Sequence, residues 1–239
     1  MAFTFFFRDP ATLELIASDV IPALIGRRCI RIWDAGCATG QEPYSLAIIL
    51  REAVGVFTFR RISILATDLD PTGQFGPIVR EGVYANEQVA RVPEAMRRRH
   101  FQPVDGGHVQ VVDEVRSRVT FQRHDLLSLE PPIRGADVIV CKNVLLHLSE
   151  QQRCDVISMF YTSLSPGGCL AIEQTQAMPN TVEALFRPRS DRMHLFTKRT
   201  PSGCCQPDPI RTHQRPPCLN QKKHAGSETD DAAVVTSER

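Results

Sequence analysis

The stretch Ile30–Ala47, IRIWDAGCATGQEPYSLA, decides how this chain is read. Its β-branched and aromatic start predicts a short strand over Ile30 to Trp33. The chain then breaks at Asp34-Ala35-Gly36, runs through Cys37, Ala38 and Thr39 to Gly40, and enters a helix at Pro43. Leu46, Ile49, Leu50 and Val54 follow at helical spacing. A strand, a glycine turn and a helix form the opening unit of a nucleotide-type α/β fold. Gly36 and Gly40 carry no Cβ, so the backbone there is expected to pass close to a ligand. Pro43 suits the first helical turn, where a missing N–H is no loss.

The same stretch excludes some ligands. The dinucleotide fingerprint G-x-G-x-x-G is absent, as only Gly36 and Gly40 are present, and no G-K-[ST] is there to grip a triphosphate. Glu42 is unsuited to an anionic pyrophosphate, which calls for bare N–H groups and positive charge. It suits a ligand carrying an ammonium or a sulfonium, and that points to S-adenosylmethionine. An ordinary tight strand–helix turn is the plain alternative.

The chain has 239 residues, enough for one α/β domain with a sizeable core and some tail. A net charge of +1 implies no polyelectrolyte partner, so nucleic acid is not expected. The run Arg97-Arg98-Arg99-His100 reads as a solvated helix face. Of eight cysteines, Cys29, Cys37, Cys141, Cys154 and Cys169 lie in apolar contexts, where a thiol acts as a small hydrophobe. No C-x-x-C pair occurs, and the spacing of Cys204, Cys205, His213, Cys218 and His224 fits no standard metal site. No metal is therefore expected. The start, MAFTFFFRDP, is too short for a signal sequence, and no run reaches membrane-spanning length. These features predict a cytoplasmic protein without membrane insertion.

Along the chain, Asp9 is expected to cap a helix with Pro10 at its first position, with Leu13, Leu15, Ile16, Val20 and Leu24 on the buried face. Ile62–Thr67 reads as a second, fully buried strand ending in Asp68-Leu69-Asp70. An acidic residue there is where such folds hold ribose hydroxyls, and a helix cap or turn is the alternative for Asp68. Thr72–Tyr84 is read as a crossover helix weakened by Gly73, Gly76 and Pro77. A short helix is expected over Pro93–Phe101. Residues 103–115, with Gly106-Gly107 inside an alternating pattern, predict a small antiparallel hairpin added to the main sheet. Val119–Arg123 and Ala136–Cys141 read as core strands. Ser149 opens a helix with Gln152 closing a capping box. Ser165–Gly168 is a turn, Cys169–Glu173 a fifth strand and His194–Lys198 a last one. Beyond Arg199 no apolar periodicity remains, so 200–239 is read as a disordered tail after a domain over 1–199.

Several blocks stand in order: FFR at Phe6–Arg8, WDAGCATGQEPYSLA at Trp33–Ala47, ILATDLD at Ile64–Asp70, EGVY at Glu81–Tyr84, CKNVLLHLS at Cys141–Ser149 and LSPGG at Leu164–Gly168. Together they resemble the catalytic domain of the CheR-type chemotaxis-receptor methyltransferases, over residues 3–199. The resemblance implies a Rossmann-like class I methyltransferase sheet and a methyl transfer from S-adenosylmethionine to receptor glutamates, leaving S-adenosylhomocysteine. It implies Arg8 in the active site, Thr4 against the cofactor, Glu42 at the methionine ammonium, and Asp68 on the ribose. Asp125 and Leu126 would lie near the adenine, and Lys142-Asn143 would match the family's C-R-N turn. His147 stands where the family has an aromatic residue, in some members an active-site tyrosine. Other departures are Ala2 for the usual asparagine, Gln41 for the first acid of G-E-E-P, and Glu173-Gln174-Thr175 for H-S-E. The family also places a helical domain before FFR.

The expected partners are chemotaxis receptors or similar signalling proteins, with the protein itself a monomer. Two other readings stay open: a CheR-like domain that binds cofactor or a partner without turnover, and a methyltransferase acting on a small molecule. The missing third glycine disfavours a nicotinamide oxidoreductase.

Overall fold

In this computed structural model residues 4–173, 178–189 and 195–200 are described. In chain order the elements are α1 (Pro10–Leu15), β1 (Ile30–Ala35), α2 (Gln41–Ala53), α3 (Val56–Phe59), β2 (Ile62–Asp68), α4 (Phe75–Glu81) and β3 (Val83–Ala85). There follow α5 (Glu94–His100), β4 (Phe101–Val104), β5 (His108–Val111), α6 (Asp113–Arg116), β6 (Val119–Arg123) and β7 (Ala136–Cys141). The last are α7 (Glu150–Ser163), β8 (Leu164–Ile172), α8 (Asn180–Glu183), β9 (Phe186–Pro188) and β10 (Leu195–Lys198).

Seven strands form one sheet in the order β6-β2-β1-β7-β8-β10-β9. β1 pairs in parallel with β2 on one side and β7 on the other, and β6 and β8 extend the parallel part. β10 and β9 close the edge antiparallel. Both faces of the parallel part are covered, so ADVIVC in β7 is buried at every position. The strand order reverses at β1, and crevices at such a reversal are where open α/β sheets bind ligands. Among the described residues no helix is long and apolar enough to cross a membrane.

The mostly parallel, Rossmann-like α/β sheet expected from the sequence is present, with several changes of detail. The helix after the glycine turn starts at Gln41, not Pro43, with Gly40 as its N-cap at φ 94°. Proline is tolerated throughout the first turn, so it does not mark the boundary. The crossover helix shrinks to Phe75–Glu81, because Asp70 accepts from the amides of Phe75 and Gly76 (both 3.1 Å) and Gly82 ends it at φ 62°. The inserted hairpin does not join the main sheet. Its strands β4 and β5 pair with β3 into a separate three-stranded sheet, and residues 113–116 turn into a helix. Tyr84, Phe101, Val109 and Val111 of that small sheet share one apolar cluster with Ile30, Ile32 and Phe6. Burying that face decides the pairing.

The Ser165–Gly168 turn lies inside a longer strand as an irregularity: Ala136 pairs with Leu164 but Val138 with Cys169. The capping box at Ser149 forms, its amide donating to Gln152 Oε1 at 2.9 Å and its Oγ accepting from the Gln152 amide at 3.4 Å. Asp9 does not cap α1. It sits at φ 48° with no bond to the helix amides, and its Oδ2 instead accepts from Thr12 Oγ1 (3.1 Å) and pairs with Lys142 (3.2 Å). The helix passes into a π turn at Ile16–Val20 and a 3-10 turn at Ile21–Leu24. The expected tail, with its cysteines and histidines, lies beyond the described residues, as does His194.

Candidate active site

A cavity of about 490 Å³ opens at the C-terminal ends of β1, β2 and β7, in the size range of small-molecule pockets. Thr4, Arg8, Glu42, Asp68, Lys142, Asn143 and His147 all line it, together with Gly36, Cys37, Ala38, Val144 and Leu146.

The glycine turn is built by backbone bonds to the next strand. Gly36 and Cys37 donate to the Thr67 carbonyl at 2.7 and 2.9 Å, and the Gly40 amide donates to the Cys37 carbonyl at 2.9 Å. Both glycines have φ of 94°. A Cβ on Gly36 would meet Val144 Cγ2 at 2.1 Å, and one on Gly40 would meet Tyr84 Oη and Val79 Cγ2 at 2.9 Å. The chain's own side chains therefore require these glycines, whatever a ligand adds. Tyr84 Oη donates to the Thr39 carbonyl at 2.8 Å and steadies the turn.

Asp68 ends β2 with its carboxylate fixed from both sides. Oδ2 accepts from the Ala38 amide at 2.9 Å, and Oδ1 from the Asp70 amide at 3.2 Å. Glu42 sits in the first turn of α2, its side chain 13% exposed. Burial pushes its carboxyl up, while Lys142 and Arg8 pull it down.

Lys142 ties the site to the N-terminal segment. Its buried Nζ lies 3.5 Å from Glu42 Oε2 and 3.2 Å from Asp9 Oδ2, and donates to the carbonyls of Arg8 (3.4 Å) and Asp9 (3.3 Å). Phe6 is fully buried, edge-on to Tyr84 and Phe101 at 4.9 and 5.3 Å. The Phe7 amide donates to Ser45 Oγ at 2.9 Å. These contacts hold Thr4 and Arg8 against the cavity. Asn143 follows in a left-handed conformation (φ 60°), its amide donating to Glu173 Oε2 at 3.2 Å. His147 ends a 3-10 turn over Leu145–His147 at the cavity wall.

Asp125 and Leu126 are not among the lining residues. Asp125 Oδ1 accepts from the Leu127 amide at 2.9 Å and so caps its own 3-10 turn, and Leu126 packs against the second apolar cluster. One residue at this end of the sheet escaped the sequence reading. Asp34 is 0% exposed, and neither carboxylate oxygen has a hydrogen-bond partner. Burial, then Glu42, push its carboxyl well above the ordinary range; Lys142 opposes them. The available signal was an acid next to last in a strand that is apolar at every other position but Arg31.

The family model for the CheR methyltransferase SAM-binding domain matches residues 2–193. A chemotaxis protein methyltransferase of Listeria innocua is 35% identical over 180 residues, covering 74% of this chain and 66% of that protein. Chemotaxis protein methyltransferase 2 of Vibrio cholerae is 30% identical over 194 residues, covering 79% of this chain and 66% of that protein. The chain thus spans 66% of the length of these relatives. An uncharacterised 104.1 kDa protein of Rhodobacter capsulatus is 30% identical over 244 residues, 99% of this chain and 24% of that protein.

Proposed function

The chain belongs to the CheR methyltransferase family, its matched part being the SAM-binding domain, and from that premise we propose that it methylates glutamate side chains of chemotaxis receptors with S-adenosylmethionine. The observation that carries the reading is that Glu42 and Asp68 line one cavity at the strand-order reversal, with Arg8 beside them. The residues present fit that cofactor. The cavity is of suitable size, and two carboxylates, Glu42 and Asp68, line it. Asp68 is pre-oriented by two backbone amides and keeps lone pairs for ribose hydroxyls. Glu42 Oε1 remains for an ammonium, since Lys142 approaches Oε2. Thr4 and Asn143 complete the polar wall.

Bound there, S-adenosylmethionine supplies a methyl group on a positively charged sulfur. The acceptor carboxylate is ionised near pH 7, so no strong base is required. The chain's task is orientation, an effect that can supply about 7–11 kcal/mol. Arg8 offers a planar fork to align the acceptor carboxylate or a neighbouring carbonyl. His147 offers a hydrogen bond at the same wall.

A second reading is favoured by His147 standing in place of the family's aromatic: a domain that binds cofactor without turnover. Labelled methyl transfer to receptor-containing membranes separates the two. Base-labile counts on receptor protein support the ester-forming enzyme. Calorimetric binding without counts supports the silent domain, and no binding heat at millimolar ligand rejects both.

A further inference from the structure

Resting on the cofactor reading above, we propose that Asp34 is the proton-linked acid of this cavity. It holds a proton in the empty cavity and beside the thioether product, and releases it to solvent when a sulfonium arrives. The site thereby distinguishes the charged methyl donor from its neutral thioether product.

The placement comes from strand register. Asp34 on β1 pairs with Ala66 of β2 and Val140 of β7. Residues two apart on a strand share a face. Two positions beyond Ala66 stands Asp68, the last residue of β2, while the chain leaves β1 at Gly36 and β7 at Lys142; all three line the cavity. Asp34 therefore lies one pleat repeat behind the cavity wall, on the wall's own face.

Its chemistry follows from what surrounds it. The carboxyl is fully buried and both oxygens lack a hydrogen-bond partner. Lys142 is the cation acting on it, and that ammonium already serves Asp9 and Glu42. An unpaired buried carboxylate is costly, and such a group takes up a proton instead. The other titratable groups around it are Glu42 from α2, Asp68 from β2, Cys37 from the turn and Cys141 from β7. Both thiols are pushed up by burial and stay neutral, while Glu42 and Asp68 add to the upward push on Asp34. The sulfonium, the one positive charge that the thioether product lacks, reverses that balance when it enters the cavity. The O–H bond of Asp34 then breaks, its electron pair stays on the carboxylate, and the proton passes to buffer.

The test is calorimetric titration of the full chain with S-adenosylmethionine and, separately, S-adenosylhomocysteine, each in two buffers of different ionisation heat. At pH 6.5, about a unit below the usual α-amino range, both ligands keep their ammonium proton. Net proton release with S-adenosylmethionine, none with the thioether, and loss of the release in Asp34→Asn is the expected result. Heats for the sulfonium ligand that do not depend on buffer overturn the proposal, and this comparison needs no variant. Release that persists in Asp34→Asn also overturns it, by placing the proton on another group such as Glu42. If neither ligand binds, the cofactor reading has failed first.

Discussion

Asp68 and Asp34 are two aspartates at one end of the sheet with opposite surroundings. Asp68 accepts two backbone N–H bonds and is ready to accept ribose hydroxyls on its remaining lone pairs. Asp68→Ala should weaken S-adenosylmethionine binding at least about tenfold, the cost of roughly one charge-assisted hydrogen bond, as read by titration calorimetry. Unchanged affinity would mean the ribose lies elsewhere. Asp34 has burial without partners, and its carboxyl is raised. The sign of its effect on stability follows. The unfolded chain gives up this proton near the ordinary aspartate range, around pH 4, while the folded chain keeps it. Stability contributed by the protonated form is thus full below pH ~4 and is lost as pH rises toward the folded value. Asp34→Asn removes that loss. In thermal melts without ligand it should gain about 2 °C or more at pH 7.5 and nothing near pH 4. Equal melting shifts at both pH values would contradict a raised Asp34. Both aspartates were legible as residues, but the sequence reading assigned a role only to Asp68. Nothing local distinguishes a satisfied carboxylate from an orphaned one.

At the scale of elements, the glycine turn and the N-terminal segment hold the site. Gly36 combines a left-handed φ with a Val144 methyl where a Cβ would sit. Gly36→Ala should cost more than ~2 kcal/mol in denaturant unfolding, from backbone strain and overpacking together. The double variant with Val144→Ala should recover the overpacking part and leave the strain. A double variant no better than the single one would show that strain is the whole effect. Most elements could be read from the sequence, since apolar periodicity, the glycine turn and the capping box are local signals. Boundaries shifted where a distant partner intervened. Asp9 could not be seen to turn from its helix toward Lys142, because that partner lies far along the chain. Asp125 closes its own turn through a local bond from the Leu127 amide.

At the scale of the whole molecule, the small three-stranded sheet and the main sheet share one apolar cluster. Phe101 is 6% exposed and joins Phe6 to that cluster. Phe101→Ala should cost about 3–5 kcal/mol and lower a single transition seen alike by far-UV and aromatic near-UV signals. Two separated transitions would mean the small sheet unfolds alone. By itself, the sequence determined the family, the α/β class, the order of the strands along the chain and most of the cavity's residues. Those features follow from short-range pattern and from motifs that stay contiguous. Only the tertiary structure decided that the hairpin forms its own sheet, that Lys142 occupies Glu42, and that Asp34 is left without a partner. Pairing and desolvation depend on which strands become neighbours, and here a reversal of strand order brings together residues that the chain keeps far apart.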